Sequence, residues 1–212
     1  MITIDEARLL YAGADSAHDF DHVLRVLALA ERIARAEGAD IEVVRTAALL
    51  HDMARSEEHA TGEDHSVAAA RRARPLLLQR GAPPAFVDAV CLAIRDHRFR
   101  TGSPPSTLEA QILYDADKLD AIGAIGVARA YAVGGRLGQR LWSEVDAADE
   151  RLDPAHLAST AGEHTPVREY VVKLARLQAT LFTSEARRIA LGRHRFMVSF
   201  FERLASEVTG QS

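Results

Sequence analysis

The chain has 212 residues, of which 48% are hydrophobic and 26% are charged, and its formal net charge is −4. This composition is typical of one globular domain, and the single cysteine, Cys91, excludes a disulfide framework and a cysteine-based zinc site. Because the charge balance is acidic, no overall positive field favours a nucleic-acid backbone or an anionic membrane, and we expect neither as a partner.

The sequence pattern predicts neither a membrane helix nor a secretory signal. Charged residues interrupt every apolar run before it reaches the roughly 18 residues of a membrane helix. The first ten residues lack the basic start and apolar stretch of a secretory signal. We therefore expect a cytoplasmic protein.

The first predicted helix runs from Asp19 to Glu37, where apolar residues recur at spacings of three and four. Gly38 ends it. Asp40 is a predicted N-cap for the next helix, whose apolar residues lead up to His51. The predicted position of the His51-Asp52 doublet is thus the C-terminal end of a buried helix.

Helices are also predicted beyond the doublet. Residues 55–64 are polar and predict a loop, whereas 65–80 and 84–97 predict helices. A further loop is expected at 98–105. Ser106 and Glu109 resemble a capping box that opens one long helix reaching Gly134.

The last part of the chain is less regular. Residues 134–165 predict an irregular, lid-like segment with a short helix around Leu141. Pro166 opens another predicted helix, and Thr183 is expected to cap the last one, at 184–208. No strand pattern occurs, so the predicted fold class is all-α, a single-domain helical bundle spanning residues 1–212.

Two His-Asp doublets are present, and their contexts differ. His51 follows an apolar run, where a histidine and an aspartate are costly to bury unless they are paired or bound to a cation. His18 and Asp19 stand in a polar turn, where helix capping is the favoured interpretation. The second doublet, His51-Asp52, is therefore the candidate metal site.

Other candidate ligands lie on two further predicted helices. His22 is next to the core residue Val23 on the first helix. In the segment DADKLDA, Asp117 and Asp120 are one turn apart on the same helix face, whereas Asp115 points elsewhere. Imidazole and carboxylate together suit Mn, Fe, Co, Ni or Zn, while Mg prefers mostly oxygen.

Two long motifs connect these residues to a known family. The segment HDFDHVLRV at 18–26, the doublet after AALL, and DADKLDAIGAIG at 115–126 resemble the HD-domain metal-dependent phosphohydrolases. The similarity is greatest to the small stand-alone bacterial branch that acts on nucleotides, and it covers nearly the whole chain. It implies a helical HD-domain bundle.

The resemblance also implies roles for individual residues. The metal ligands would be His22, His51, Asp52 and Asp117, holding a divalent ion; we expect Mn, with Co, Ni, Fe, Zn and Mg as alternatives. The candidate catalytic residues are Asp52, Lys118 and Asp120, and the candidate substrate-binding residues are Arg25, His97 and Lys118. For Arg25, an ordinary solvated cation is an equally good interpretation.

Two questions stay open at this point. Another branch of the family places a glutamate one turn after the doublet, where this chain has Arg55, so the general base is undecided between Glu57, Glu58 and other groups. His65 and His97 fall where HD proteins with two metals carry further histidines. We favour one metal, with His65 facing solvent.

The expected function is hydrolysis of a phosphoanhydride or phosphoester bond in a nucleotide, by a nucleoside triphosphate pyrophosphohydrolase or a nucleotidase. Alternatives are a dinuclear-iron oxygenase, a cyclic-nucleotide phosphodiesterase and a non-enzymatic helical module with a structural metal. The sequence leaves the choice between monomer and homodimer open.

Overall fold

The computed structural model describes residues 2–11, 20–98, 104–145 and 164–211. Within these ranges most residues are helical and none lies in a β-strand, which confirms the all-α fold class. No helix in the described part of the chain combines the length and the apolar character that crossing a membrane requires.

The α-helices follow one another in this order: α1 Ile4–Arg8, α2 Phe20–Glu37, α3 Ile41–Leu50, α4 Glu58–Thr61, α5 His65–Gln79, α6 Pro84–Asp96, α7 Leu108–Asp120, α8 Gly123–Arg136, α9 Pro166–Val172 and α10 Ser184–Val208. Short 3₁₀ helices lie at Leu9–Tyr11, Arg55–Glu57 and Leu174–Thr180.

Two compact units make up the described chain. The first contains Met1–Asp117 together with Leu181–Ala186, and the second contains Lys118–Thr180 and Arg187–Ser212. The expectation that residues 1–212 form one domain stays a prediction.

The core of the first unit is built from α2, α3, α5 and α6. α2 packs against α3, α3 against α6, and α5 against α6. The predicted cap is confirmed, because the Asp40 carboxylate accepts hydrogen bonds from the backbone of Glu42 and Val43. α3 is buried along nearly its whole length, so the residues that follow it emerge inside the unit.

A buried carboxylate holds Leu181–Ala186 in the first unit. Asp115 accepts hydrogen bonds from the backbone N–H of Phe182 at 2.9 Å and of Thr183 at 2.7 Å. The hydroxyl of Thr183 donates to the same carboxylate at 2.7 Å. Asp115 thus points away from the candidate ligands, as its position on the helix predicted.

The prediction of one long helix from Ser106 to Gly134 is wrong, because the chain forms two helices there, α7 and α8. Gly123 has a φ of +81°, in the left-handed region that favours glycine. A Cβ at Gly126 would lie 2.2 Å from the carbonyl oxygen of Ala121, so this turn also requires a glycine there.

The predicted capping box is wrong as well. The Ser106 hydroxyl donates to Asp96, and it is Thr107 whose Oγ1 accepts from the backbone of Ala110. The Glu109 carboxylate accepts from the backbone N–H of Asp40. Capping of α7 therefore lies one residue later than the sequence predicted.

Other boundaries differ in detail. The predicted loop at 55–64 contains the 3₁₀ helix and α4, the helix begun by Pro166 ends at Val172, and no helix surrounds Leu141 in the described stretch 137–145. The predicted α10 is confirmed. The doublet at 18–19 and most of the lid-like segment lie outside the described residues.

Replacing Asp115 by alanine should lower the free energy of unfolding by about 3 kcal/mol, because buried N–H and hydroxyl donors lose a charged acceptor. Urea denaturation measures this change. The matched control is Asp88→Ala, whose exposed ion pair with Arg74 should contribute less than about 1 kcal/mol. Equal effects of the two substitutions would contradict the prediction.

Candidate metal centre

The end of α3 orients the first imidazole of the site. His51 is fully buried, and its Nδ1 lies 2.7 Å from the carbonyl oxygen of Ala48, one turn back. Since a carbonyl only accepts, Nδ1 carries the proton and the lone pair of Nε2 is left available. Among the described residues this buried Nε2 has no hydrogen-bond partner.

Asp52 is the centre of the cluster. Its Oδ2 lies 3.7 Å from Nε2 of His51 and 3.8 Å from Nε2 of His22, which projects from the buried face of α2. Asp117 approaches from α7, with its Oδ1 3.4 Å from the same nitrogen of His22. The structure therefore brings together the four residues predicted as ligands.

The other oxygen of Asp52 faces a second set of histidines. Nε2 of His65 lies 3.1 Å from Asp52 Oδ1, and Nε2 of His97 lies 3.9 Å from it. The expectation that His65 faces solvent is wrong, because the structure buries it completely at the start of α5. Asp52 thus stands between two groups of imidazoles.

His97 repeats the arrangement of His51. It follows the last residue of α6, and its Nδ1 lies 2.5 Å from the carbonyl oxygen of Ile94. The ring of His97 is 5.1 Å from that of His51, with the planes nearly perpendicular. Two helix ends thus direct an Nε2 lone pair into the same space.

A network of polar side chains contacts the ring of His65. Its Nδ1 lies 2.8 Å from Oε2 of Glu58 in α4. Arg98 donates to Glu58 and lies 3.3 Å from Oδ2 of Asp64, the residue that caps α5. The guanidinium of Arg55 lies on the other edge of the ring, 3.2 Å from Nε2 of His65.

The pKa values of the buried groups follow from this environment. Burial lowers the pKa of His51, and burial together with the nearby His51 lowers the pKa of His97 to about 3. Burial alone would raise the pKa of Asp52, but the neighbouring His51 imidazole, a hydrogen bond with His65 and the charge of Arg55 hold it well below its ordinary value. His51 and His97 are therefore neutral and Asp52 is ionised at neutral pH.

These donors fit a divalent metal. Ligand atoms that share an ion at about 2.1 Å stand roughly 3.0–3.5 Å apart. The separations on the Oδ2 side of Asp52, 3.4 to 3.8 Å, are close to that range, and one of the nitrogens there has no other partner among the described residues. Both groups, His22 with His51 and Asp52, and Asp52 with His65 and His97, have compatible geometry.

Comparison with known proteins agrees with this geometry. A model of the HD domain family matches residues 19–122. A predicted HD superfamily hydrolase from an uncultured Thermotogales bacterium is 31% identical, with a TM-score of 0.68 over 96% of this chain and 90% of that one. The chain belongs to the HD-domain family.

A relative from Bacillus subtilis strain 168 is similar over most of its length. The uncharacterized protein YpgQ is 33% identical over 199 residues, which cover 92% of this chain and 86% of YpgQ. The crystal structure of YpgQ in complex with ADP has a TM-score of 0.75 at 28% identity, covering 99% of this chain and 100% of that one. This HD-domain chain therefore shares the fold of YpgQ.

The remaining candidate residues are placed as follows. Arg25 is half-buried one turn after His22 on α2. In the second unit, Lys118 is half-buried, and the buried carboxylate of Asp120 pairs with Arg129 at 3.1 Å. Their catalytic and substrate-binding roles, and the metal-ligand roles, stay predictions.

The buried network around His65 was not predicted from the sequence. The interval of four residues from His65 through Ala69 and Ala73 to Leu77 marks the buried stripe of α5, and it contained the signal that His65 faces inward. Of the two candidate bases, Glu58 contacts this network, whereas Glu57 forms an exposed ion pair with Arg72.

Stability of the metal-free protein should fall as pH falls below about 6.5, the ordinary pKa of histidine. The folded state keeps His97 neutral down to about pH 3, whereas the unfolded chain takes up the proton. His97 alone should remove about 2 kcal/mol between pH 7 and pH 5. Urea denaturation in a chelator at these pH values measures the change.

His97→Asn provides the control for this pH dependence. The variant should lose the share of the slope that His97 contributes, whatever its absolute stability. A wild-type stability that is the same at pH 7 and pH 5, or an equal slope in the variant, would show that His97 is not held neutral.

Proposed function

We propose that this chain is a divalent-metal-dependent phosphohydrolase that cleaves a phosphoanhydride or phosphoester bond of a nucleotide. The observation that carries the proposal is the buried carboxylate of Asp52, both oxygens of which face histidine nitrogens. One of those nitrogens, Nε2 of His51, has no hydrogen-bond partner among the described residues. Burying such a group is costly unless a cation neutralises it.

The proposed ligands are His22, His51, Asp52 and Asp117. When bound there, a divalent ion lowers the pKa of a water ligand and polarises a phosphoryl oxygen. The chain's own contribution is to fix the donors: the carbonyl of Ala48 holds the His51 ring, so that Nε2 points at the cluster before any ion arrives. Asp52 and Asp117 balance the charge of the ion.

Manganese is the ion we propose, because a mixed set of imidazole and carboxylate ligands suits it; Co, Ni, Fe and Zn suit the same set. The nucleotide part of the proposal is supported by YpgQ, which has the same fold and was crystallised in complex with ADP. Arg25 and Lys118 are the proposed contacts to phosphate, and Asp120 is a proposed positioning residue.

A second candidate function has its own observation. Asp52, His65 and His97 form a group whose geometry suits another ion. If the two groups of residues held one ion each, a dinuclear-iron oxygenase or a cyclic-nucleotide phosphodiesterase would be favoured. We favour one ion, because His65 already has Glu58 on one ring nitrogen and Arg55 on the other.

The purified chain supplied with Mn or Co should release phosphate or pyrophosphate from at least one member of a nucleotide panel. Asp52→Ala should reduce kcat/KM by at least about a thousandfold, because the variant removes a carboxylate from the metal-binding cluster. Asp88→Ala, an exposed aspartate, should retain full activity. Hydrolysis that survives in Asp52→Ala, or its absence across the panel, would refute the proposal.

Metal counting separates the two candidates. Elemental analysis after loading with excess Mn and gel filtration should give about one ion per chain, and His65→Asn should leave that number unchanged. Two ions per wild-type chain, reduced to one by His65→Asn, would instead support the dinuclear alternative.

A further inference from the structure

Arg55 connects the buried cluster with solvent. It is the first residue of the 3₁₀ helix that follows the doublet, and its side chain is 35% exposed. One nitrogen of its guanidinium, Nη1, lies 3.6 Å from Oδ1 of Asp52 and 3.2 Å from Nε2 of His65. The cation therefore stands directly beside the proposed metal ligand Asp52.

The contacts of Arg55 leave most of its donors unused. A guanidinium has five N–H donors, and the contacts of Arg55 with other described residues involve Nη1 only. Arg98, on the opposite edge of the His65 ring, differs because it is 11% exposed and is paired with both Glu58 and Asp64. Of these two arginines, Arg55 is the one able to receive an anion from solvent.

Arg55 also places a positive charge next to the carboxylate of Asp52. Nε2 of His65 lies 3.2 Å from the guanidinium of Arg55 and 3.1 Å from Asp52 Oδ1, so the cation, the imidazole and the carboxylate meet at one point. The positive charge beside Asp52 Oδ1 is thus supplied by the protein. In two-metal sites the ions stabilise the oxygens of the reacting phosphate, and an arginine guanidinium also binds phosphate, through paired N–H donors.

We propose that Arg55 binds a phosphate group of the substrate and takes the place that a second metal ion would have in the cluster. The proposal rests on the proposed function, since it assumes a phosphorylated substrate at the metal. The Nε and Nη2 donors of Arg55 then contact phosphate oxygens, while Nη1 remains in contact with His65. The substrate class is a molecule with an exposed, doubly charged phosphate.

The test compares Arg55→Gln with Arg72→Gln. Arg72 is an arginine of similar exposure, 38%, that pairs with Glu57 instead of contacting the cluster. ADP is titrated by calorimetry into each Mn-loaded protein. Arg55→Gln should bind ADP about tenfold to hundredfold more weakly than the wild type, the loss expected for hydrogen bonds to a charged group, and Arg72→Gln should bind as the wild type does.

Further measurements separate phosphate binding from a structural role. Arg55→Lys keeps the charge without the planar fork and should lose less than tenfold. Mn affinity of Arg55→Gln should be unchanged or tighter, because a competing cation is removed. Weaker Mn binding with unchanged ADP binding would mean that Arg55 only positions Asp52, and would overturn the inference.

Together, the ADP-binding and hydrolysis measurements test the role of Arg55 separately from the proposed function. Hydrolysis by the wild type with equal ADP affinity in Arg55→Gln and Arg72→Gln overturns the role of Arg55 alone. Absence of hydrolysis, with ADP binding weakened only in Arg55→Gln, overturns the proposed function alone. A wild-type chain that binds no ADP, or that takes up two ions, also overturns the role of Arg55.

Discussion

Burial of the Asp52 carboxylate is the constraint that organises the first unit. A carboxylate in the interior is tolerated only when cationic or donor groups surround it, and here the groups come from separate helix ends. α3 ends at His51, α6 ends at His97 and α5 begins at His65. The packing of these helices against one another is therefore also what assembles the site, so stability and site geometry depend on the same contacts.

Much of this arrangement could be predicted from local patterns. The apolar spacing of α2 predicted that His22 lies next to the core residue Val23, and the cap at Asp40 set the register that brings His51 to the end of α3. The sequence motif around Asp117 predicted the last member of the cluster. Such features depend on residues close in sequence, where periodicity and capping rules apply directly.

The features that sequence reasoning missed depend on residues distant in the chain. Arg98 reaches Glu58 across 40 residues, and Glu58 begins a helix within the polar segment that was predicted to be a loop. The break between α7 and α8 came from the backbone conformation of Gly123, whereas the apolar pattern continues through it. Helical periodicity reports which face is buried, but it does not report which long-range polar partners a segment will find.

The hydrogen bonds of Asp115 have a consequence for how this protein is made. The partners of Asp115 lie 67 and 68 residues further along, in a short segment that belongs to the first unit while its flanks belong to the second. A ribosome that has completed residues 1–117 has therefore not yet supplied the donors this carboxylate needs. The interior of the first unit is therefore completed only after most of the chain has been synthesised, and a fragment truncated at the unit boundary would lack part of its own interior.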